Sequence, residues 1–268
     1  MHVIHSEDNM GIPHSLNMAI KTASSKWVAV QDADHLSMPH RLYTQLDFLR
    51  NNPEIELVGS YITCTPAQNR ISKQRLKAEE KGKNNLVTSE QLYTHRFHGC
   101  HLHHGTVIYS KQLFIKCGGY NPQYRIAHDY DLFMKMLKHT KAVKIPEVLY
   151  QCRVDPNSVC RRSVSDTWKE HTNISTIQLY EFYKEKGLET VFSIMGSKSG
   201  YKYFIKNNRH ITINKFINLD DENINVSKLN KNGVIILDHY KGNKFFNILI
   251  QNGFELGNNL FKMWNIYH

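Results

Sequence analysis

The apolar run Trp27-Val28-Ala29-Val30 ends abruptly on Gln31-Asp32-Ala33-Asp34-His35, with helical spacing on both sides of it. Before it, Leu16, Ala19, Ile20 and Ala23 recur at the helix period. After it, Ser37 and Pro39 mark a helix start, and Leu42, Leu46 and Leu49 form an apolar stripe that Asn51-Asn52-Pro53 stops. A short apolar strand set between helices is the repeating unit of an α/β sheet. The alternation continues to about residue 155. Leu57 to Thr63, His104 to Tyr109 and Glu147 to Val154 read as strands. A short helix ends at Gly118-Gly119, and Leu132, Phe133, Met136 and Leu137 define another that begins near Asp129. Residues 66–90, rich in Lys, Gln, Asn and Glu, read as a mobile polar insertion whose charged stretch is a solvated face.

Residues 163–187 read as one long helix ending in Lys186-Gly187. A second α/β unit follows, with strands at Val191–Met195, Ile211–Ile217 and Val234–Leu237 and helices at Tyr201–Asn207 and Phe245–Asn252. The expected organisation is therefore a domain over 1–162, a linker helix over 163–187 and a small domain over 188–268. Gly196-Ser-Lys-Ser-Gly200 follows a strand and opens a helix, as a dinucleotide loop does, and Asn218-Leu219-Asp220-Asp221 comes about 20 residues later. Lys198 and Tyr201 stand where the second and third glycines belong, and a side chain at the second position blocks close approach to a pyrophosphate. A scaffold or docking role is expected of this unit, with cofactor binding as the alternative.

Lys and Arg number 34 against 24 Asp and Glu, a formal charge of +10. Such an excess favours polyanions, whether nucleotide diphosphates, nucleic acid or an anionic membrane face, and does not choose among them. No RNA motif or basic-aromatic platform speaks for nucleic acid. The five cysteines are scattered without CxxC spacing, which fits reduced structural thiols. No apolar run approaches the roughly 18–20 residues that span a bilayer. The N-terminus lacks a secretory layout. A soluble cytoplasmic protein is expected, with peripheral contact at the inner membrane face as an option.

Two carboxylates one residue apart at a strand end can hold a divalent cation through oxygen ligands, and that cation can neutralise a diphosphate leaving group. On spacing alone, a solvated turn is the better account of Asp32 and Asp34. His95, His98, His101, His103 and His104 cluster within ten residues, and His101 and His103 would share a strand face. Zinc binding and a plain polar pocket wall are the two readings of that cluster, and no firm fourth ligand is visible.

An ordered set of motifs narrows this. Asn9-Met-Gly11, Asn17-Met-Ala-Ile20, Trp27-Val-Ala-Val-Gln-Asp32-Ala-Asp34, Pro39-His-Arg41-Leu, Gln45-Leu and Asn52-Pro53 through Gly59-Ser60 resemble the family 2 glycosyltransferases of GT-A fold. The resemblance continues through His104-Gly-Thr-Val-Ile, Gly118-Gly119-Tyr120, His128-Asp129-Tyr-Asp131-Leu132 and Tyr150-Gln-Cys-Arg153 to Asn157-Ser158, covering roughly residues 3–162. It implies a nucleotide-sugar donor, a glycan or lipid-linked acceptor, Mg2+ or Mn2+, and inversion at the anomeric carbon. Asp34 would be the metal-side carboxylate, with His35 beside it. Asp32 would face the ribose or the metal, and Asn17 and Arg153 would serve the donor. Asp129 would be the general base, in a position that also suits a helix N-cap. His104, His128 and Asp131 would line the acceptor side.

Three departures accompany the resemblance. His35 replaces a further Asp, and His128 replaces the Glu that usually precedes the base. The family domain also opens with a strand, helix and strand gripping the nucleotide, carrying an early Asp and an Asp-Asp-Gly-Ser, whereas this chain starts just after them at His2-Val3-Ile4. The expected fold class is thus α/β, a truncated GT-A domain plus a small Rossmann-like domain. The expected function is glycosyl transfer, with a non-catalytic remnant or split-gene fragment as the alternative.

Overall fold

The structure, a computed structural model, describes residues 3–5, 7–67, 71–188, 191–221 and 224–263. Residues 1, 2 and 6 at the N-terminal opening and 68–70 of the polar stretch lie outside them, as does the side chain of Cys160. The chain divides into two compact units: residues 1–93 with 100–162, and residues 94–99 with 163–268. The helix expected as a linker is grouped with the second unit.

The first unit runs α1 (Ile12–Thr22), β1 (Trp27–Ala29), β2 (Leu36–Ser37), α2 (Arg41–Asn51), β3 (Ile55–Pro66), α3 (Lys73–Asn84), α4 (Ser89–Thr94), β4 (Ile108–Ser110), α5 (Lys111–Lys116), α6 (His128–Met136), β5 (Lys141–Val154) and α7 (Val159–Arg162). Its sheet has the order β1-β4-β3-β5-β2 and is mixed, with only β3 and β5 parallel. Alternation along β3 sends Leu57 and Val58 to opposite faces. Leu57 joins Tyr109, Leu113, Leu132 and Met136, the last three from α5 and α6. Val58 joins Leu49 of α2 with Ile108 and Leu149. Helices therefore cover both faces of the sheet.

The Trp27–Val30 run, read as a short apolar strand of an α/β sheet, holds a partly exposed strand, β1, paired antiparallel with β4. Two expectations are corrected here. The segment from His104 opens as a 3-10 turn, His104–Thr106, and pairing starts only at Ile108, so His101 and His103 share no strand. The polar stretch is ordered in its described part, because α3 covers an open strand edge. Among the described residues, β3 pairs with β4 only at Leu57 and Val58, and no strand lies on that side of the backbone beyond them. Asn84 donates to Ile62 O at 2.8 Å and accepts from Ile62 N at 2.9 Å, while Glu80 accepts from Cys64 N at 2.6 Å. Two side chains thus replace a missing strand, which satisfies the edge and blocks its pairing with another chain.

Lys144 on β5 is 1 % exposed, and its ammonium donates to Lys83 O and Asn85 O at 2.5 and 2.6 Å. Burial pulls its pKa down to about 8 from 10.5. Between those values the unfolded chain holds a proton that the folded chain has released, so rising pH favours folding. Relative to Lys144→Met, wild-type stability is expected to climb between pH 8 and 10 by up to about 1.4 kcal/mol per unit. Urea unfolding across that range, on both proteins, measures it. Parallel slopes would rule the effect out.

The second unit contains α8 (Val164–Glu185), β6 (Phe192–Gly196), α9 (Lys198–Asn207), β7 (Ile213–Asn218), β8 (Val234–Asp238), α10 (His239–Gln251) and β9 (Leu260–Met263). All four strands are parallel, in the order β7-β6-β8-β9. Their apolar residues form a core with Leu249 and Phe254. The short segment 94–99 is part of this unit. Phe97 is buried, with its ring 5.0 Å from Phe261 and 6.0 Å from Phe182, and the Arg96 guanidinium lies over Phe97 and Phe182. The five clustered histidines are thereby split: His95 and His98 fall in the second unit and His101, His103 and His104 in the first.

Candidate functional site

The loop carrying Asp32 and Asp34 is fixed by its own neighbours. β2 pairs with β5 at Leu36↔Gln151 and Ser37↔Tyr150, which sets the loop beside Tyr150 and Cys152. Gln31 Nε2 donates to Asp32 O and His35 O at 2.8 and 3.0 Å, bracing the turn from within. Arg41, 1 % exposed, donates to Val30 O, Gln31 Oε1, Ser37 Oγ and Gln45 Oε1 at 2.8–3.2 Å and lies over the Tyr150 ring. Gln45 donates in turn to Thr106 O at 2.8 Å. One face of α2 therefore holds two site loops, Val30–Ser37 and His103–Thr106.

Within that frame, His35 Nδ1 lies 3.0 Å from Asp32 Oδ2 and 3.1 Å from Tyr150 Oη. Tyr150 Oη also donates to Asp32 Oδ2 at 3.2 Å. Gly105 is obligatory here, since a Cβ would stand 2.1 Å from Tyr150 Oη and 2.6 Å from Asp32 Oδ2. Burial works against the Asp32 charge, yet the His35 hydrogen bond and the nearby imidazoles outweigh it and bring the pKa down to about 2. The bond to Asp32 correspondingly raises His35. Burial lowers His103 and His104, and Asp32 and Asp129 both pull the other way on each. The His103–His104 turn therefore lies within the fields of the two carboxylates.

Asp129 sits in the first turn of α6, where the helix N-terminus favours an ionised carboxylate. It is not the N-cap, which is Ala127. Its Oδ1 accepts from Tyr130 N at 2.8 Å, and Cys100 Sγ is 3.8 Å from its Oδ2. Asp34 is largely exposed, with Oδ1 3.7 Å from His35 Nε2. Arg153 projects from β5 into solvent, next to Cys152.

Other expected site residues have structural work. Asn17 clamps the glycine turn, donating to Tyr120 O at 2.8 Å and accepting from Tyr120 N at 2.9 Å. Asp131 is buried and ion-paired with Lys135 at 2.6 Å, because the i,i+4 spacing brings them together. His104 Nε2 is bonded to Tyr120 Oη at 2.8 Å, and His128 is buried with its ring against His104 and Tyr120. His104, His128 and Tyr120 pack ring against ring. Gly196–Gly200 is filled from within: Asp238 Oδ2 accepts from Ser197 N and Oγ at 3.3 and 3.1 Å, at the start of α9. A carboxylate there repels the phosphate that a dinucleotide would bring.

With Nδ1 turned to Asp32, His35 Nε2 faces Asp34 Oδ1 at 3.7 Å. Asp32 Oδ2 is already engaged by His35 and Tyr150.

Tyr150, Cys152, Gly105, and the Arg41–Gln45 pair were missed as parts of the site. Tyr150 and Cys152 are two apart on one strand, so the period of two was the signal available.

The fold and site define a mixed α/β unit with two carboxylates around an imidazole turn. A family model described as Glycosyl transferase family 2 matches residues 1–118. An uncharacterized glycosyltransferase of Haemophilus influenzae is 28% identical over 166 residues, 58% of this chain and 54% of that protein. The amylovoran biosynthesis glycosyltransferase AmsE of Erwinia amylovora is 24% identical over 60% of this chain and 57% of its own length. The chain thus spans about half the length of these relatives. A solved structure, the mannosyltransferase PcManGT of Pyrobaculum calidifontis with GDP-Man and Mn2+, is 16% identical with a TM-score of 0.42, covering 68% of this chain and 45% of that one. Among the described residues no helix is long and apolar enough to cross a membrane.

Proposed function

We propose that the chain carries the site of an inverting GT-A glycosyltransferase, moving a sugar from a nucleotide-sugar donor to a glycan or lipid-linked acceptor in polysaccharide assembly. The observation that carries this reading is the Asp32–Asp34 turn, braced by His35 and Tyr150, within a region whose first 118 residues match the family. Asp129 takes the acceptor hydroxyl proton as that oxygen attacks the anomeric carbon, and the bond from that carbon to the diphosphate breaks with its electrons leaving on the nucleotide. Arg153, exposed beside Cys152, meets the diphosphate charge. Asp34 and His35 Nε2 would hold Mn2+, which would supply charge neutralisation at the leaving diphosphate. Asp32 orients His35 and is a positioning residue. The second unit serves as a small Rossmann-like scaffold, since Asp238 closes its helix N-terminus to phosphate.

Calorimetry with UDP and GDP tests the donor site. Mn2+ is expected to tighten binding about tenfold or more, at least about 1.4 kcal/mol. Asp34→Ala is expected to abolish the gain. Equal affinity with and without Mn2+ in the wild-type chain would remove the metal from this reading.

A further inference from the structure

Among the described residues, the His, Cys and carboxylate groups close enough together to hold a metal ion near Asp32 include no carboxylate. His35, His103 and Cys152 each present one ligand atom, all within 4.8 Å of one another. Three loops and strands bring them together: the turn after Asp34, the His103–Thr106 turn held by Gln45, and β5. Cys152 Sγ is 3.7 Å from His35 Nε2. In a tetrahedral zinc site with the usual Zn–N and Zn–S lengths, those two ligand atoms stand about 3.6 Å apart. His35 is oriented for ligation from behind, since Nδ1 is bonded to Asp32 Oδ2 and Nε2 turns toward the thiol. A carboxylate backing a metal-ligating histidine is the common outer-sphere arrangement. A second observation points independently to a ligand: His103 Nδ1 is buried with no hydrogen-bond partner. Leaving such an atom unsatisfied is unfavourable.

We propose that His35, His103 and Cys152 bind a borderline-soft divalent ion of the Zn2+ class, which takes His35 Nε2 and so excludes Mn2+ from the donor site. Two imidazoles and a thiolate select this class over Mg2+ or Mn2+. Three protein ligands leave a fourth position for water. The metal site stands on its own geometry, whereas the exclusion of Mn2+ rests on the donor-site reading above. The consequence is an inhibitory metal site: Zn2+ and productive nucleotide-metal binding compete for one nitrogen.

Titration of the reduced, metal-free full chain with Co2+ reads the site directly. One Co2+ per chain is expected, with tetrahedral d–d absorption and a thiolate-to-cobalt charge-transfer band, both displaced by Zn2+. Cys152→Ser should lose the charge-transfer band while keeping its far-ultraviolet circular dichroism. Asp32→Asn should weaken Zn2+ binding roughly 10- to 100-fold in competition with a chromophoric chelator. No charge-transfer band in wild type, or an undiminished band in Cys152→Ser, overturns the site. In the competition arm, Zn2+ should erase the Mn2+ gain in nucleotide affinity in wild type but not in Cys152→Ser. A Mn2+ gain that survives saturating Zn2+ overturns the exclusion. An absent Mn2+ gain overturns the exclusion together with the donor-site reading, while the cobalt spectrum still decides the metal site.

Discussion

Replacing Asp129 with asparagine is expected to lower kcat for sugar transfer roughly 100- to 10,000-fold while leaving donor affinity unchanged. The amide matches the carboxylate in size, and its oxygen can still accept from Tyr130 N, the bond seen at 2.8 Å. The first turn of α6 should therefore survive. What the amide cannot do is take a proton from the acceptor. Asp131 offers no substitute, since it is buried against Lys135. Nucleotide release from labelled donor, with calorimetric donor affinity in parallel, separates the two quantities. A variant with unchanged kcat but a lowered melting temperature would make Asp129 a structural residue of α6.

Arg41→Ala is expected to destabilise the chain by about 3 kcal/mol, because it strands two buried acceptors, Val30 O and Gln45 Oε1, that each cost about 1–3 kcal/mol when unpaired. The exposed Gln31 Oε1 and Ser37 Oγ also lose a donor but can turn to water. Arg41→Lys should rescue little, since an ammonium cannot reproduce the planar fork. The loss should reach the site too: with Arg41 gone, the loop holding Asp32 is no longer tied to the helix that also holds the His103–Thr106 turn. Urea unfolding gives the stability change. A shift under about 0.5 kcal/mol, the range of ordinary surface substitutions, would mean that water replaces the guanidinium.

The same helix shows what could be read beforehand and what could not. Its existence followed from Leu42, Leu46 and Leu49, yet its buried positions are Arg41, Gln45 and Leu49, with Leu42 about half exposed. Apolar periodicity assumes that a helix buries hydrocarbon. Here two polar residues face inward because they satisfy loop carbonyls, which no periodicity can register. The polar stretch misled for a related reason: Glu80 and Asn84 look solvated in sequence but bond strand backbone. Asp32, Asp34 and His35 were legible because a strand end is a local signal. Tyr150 and Cys152 reach them only through pairing across more than a hundred residues. Asn17 was noticed for the right motif but not for its work on Tyr120, another long-range contact.

The placement of Phe97 in the second unit has a kinetic side. Its ring partner Phe261 lies near the far end of the chain. During synthesis, at roughly 5–20 residues per second, the about 160 residues between them take roughly 8 to 30 s to emerge. Throughout that interval Phe97 waits without Phe261, inside a stretch whose flanks already belong to the first unit. A nascent chain halted before β9 therefore leaves Phe97 with Phe182 but without Phe261 long after its first sheet can close.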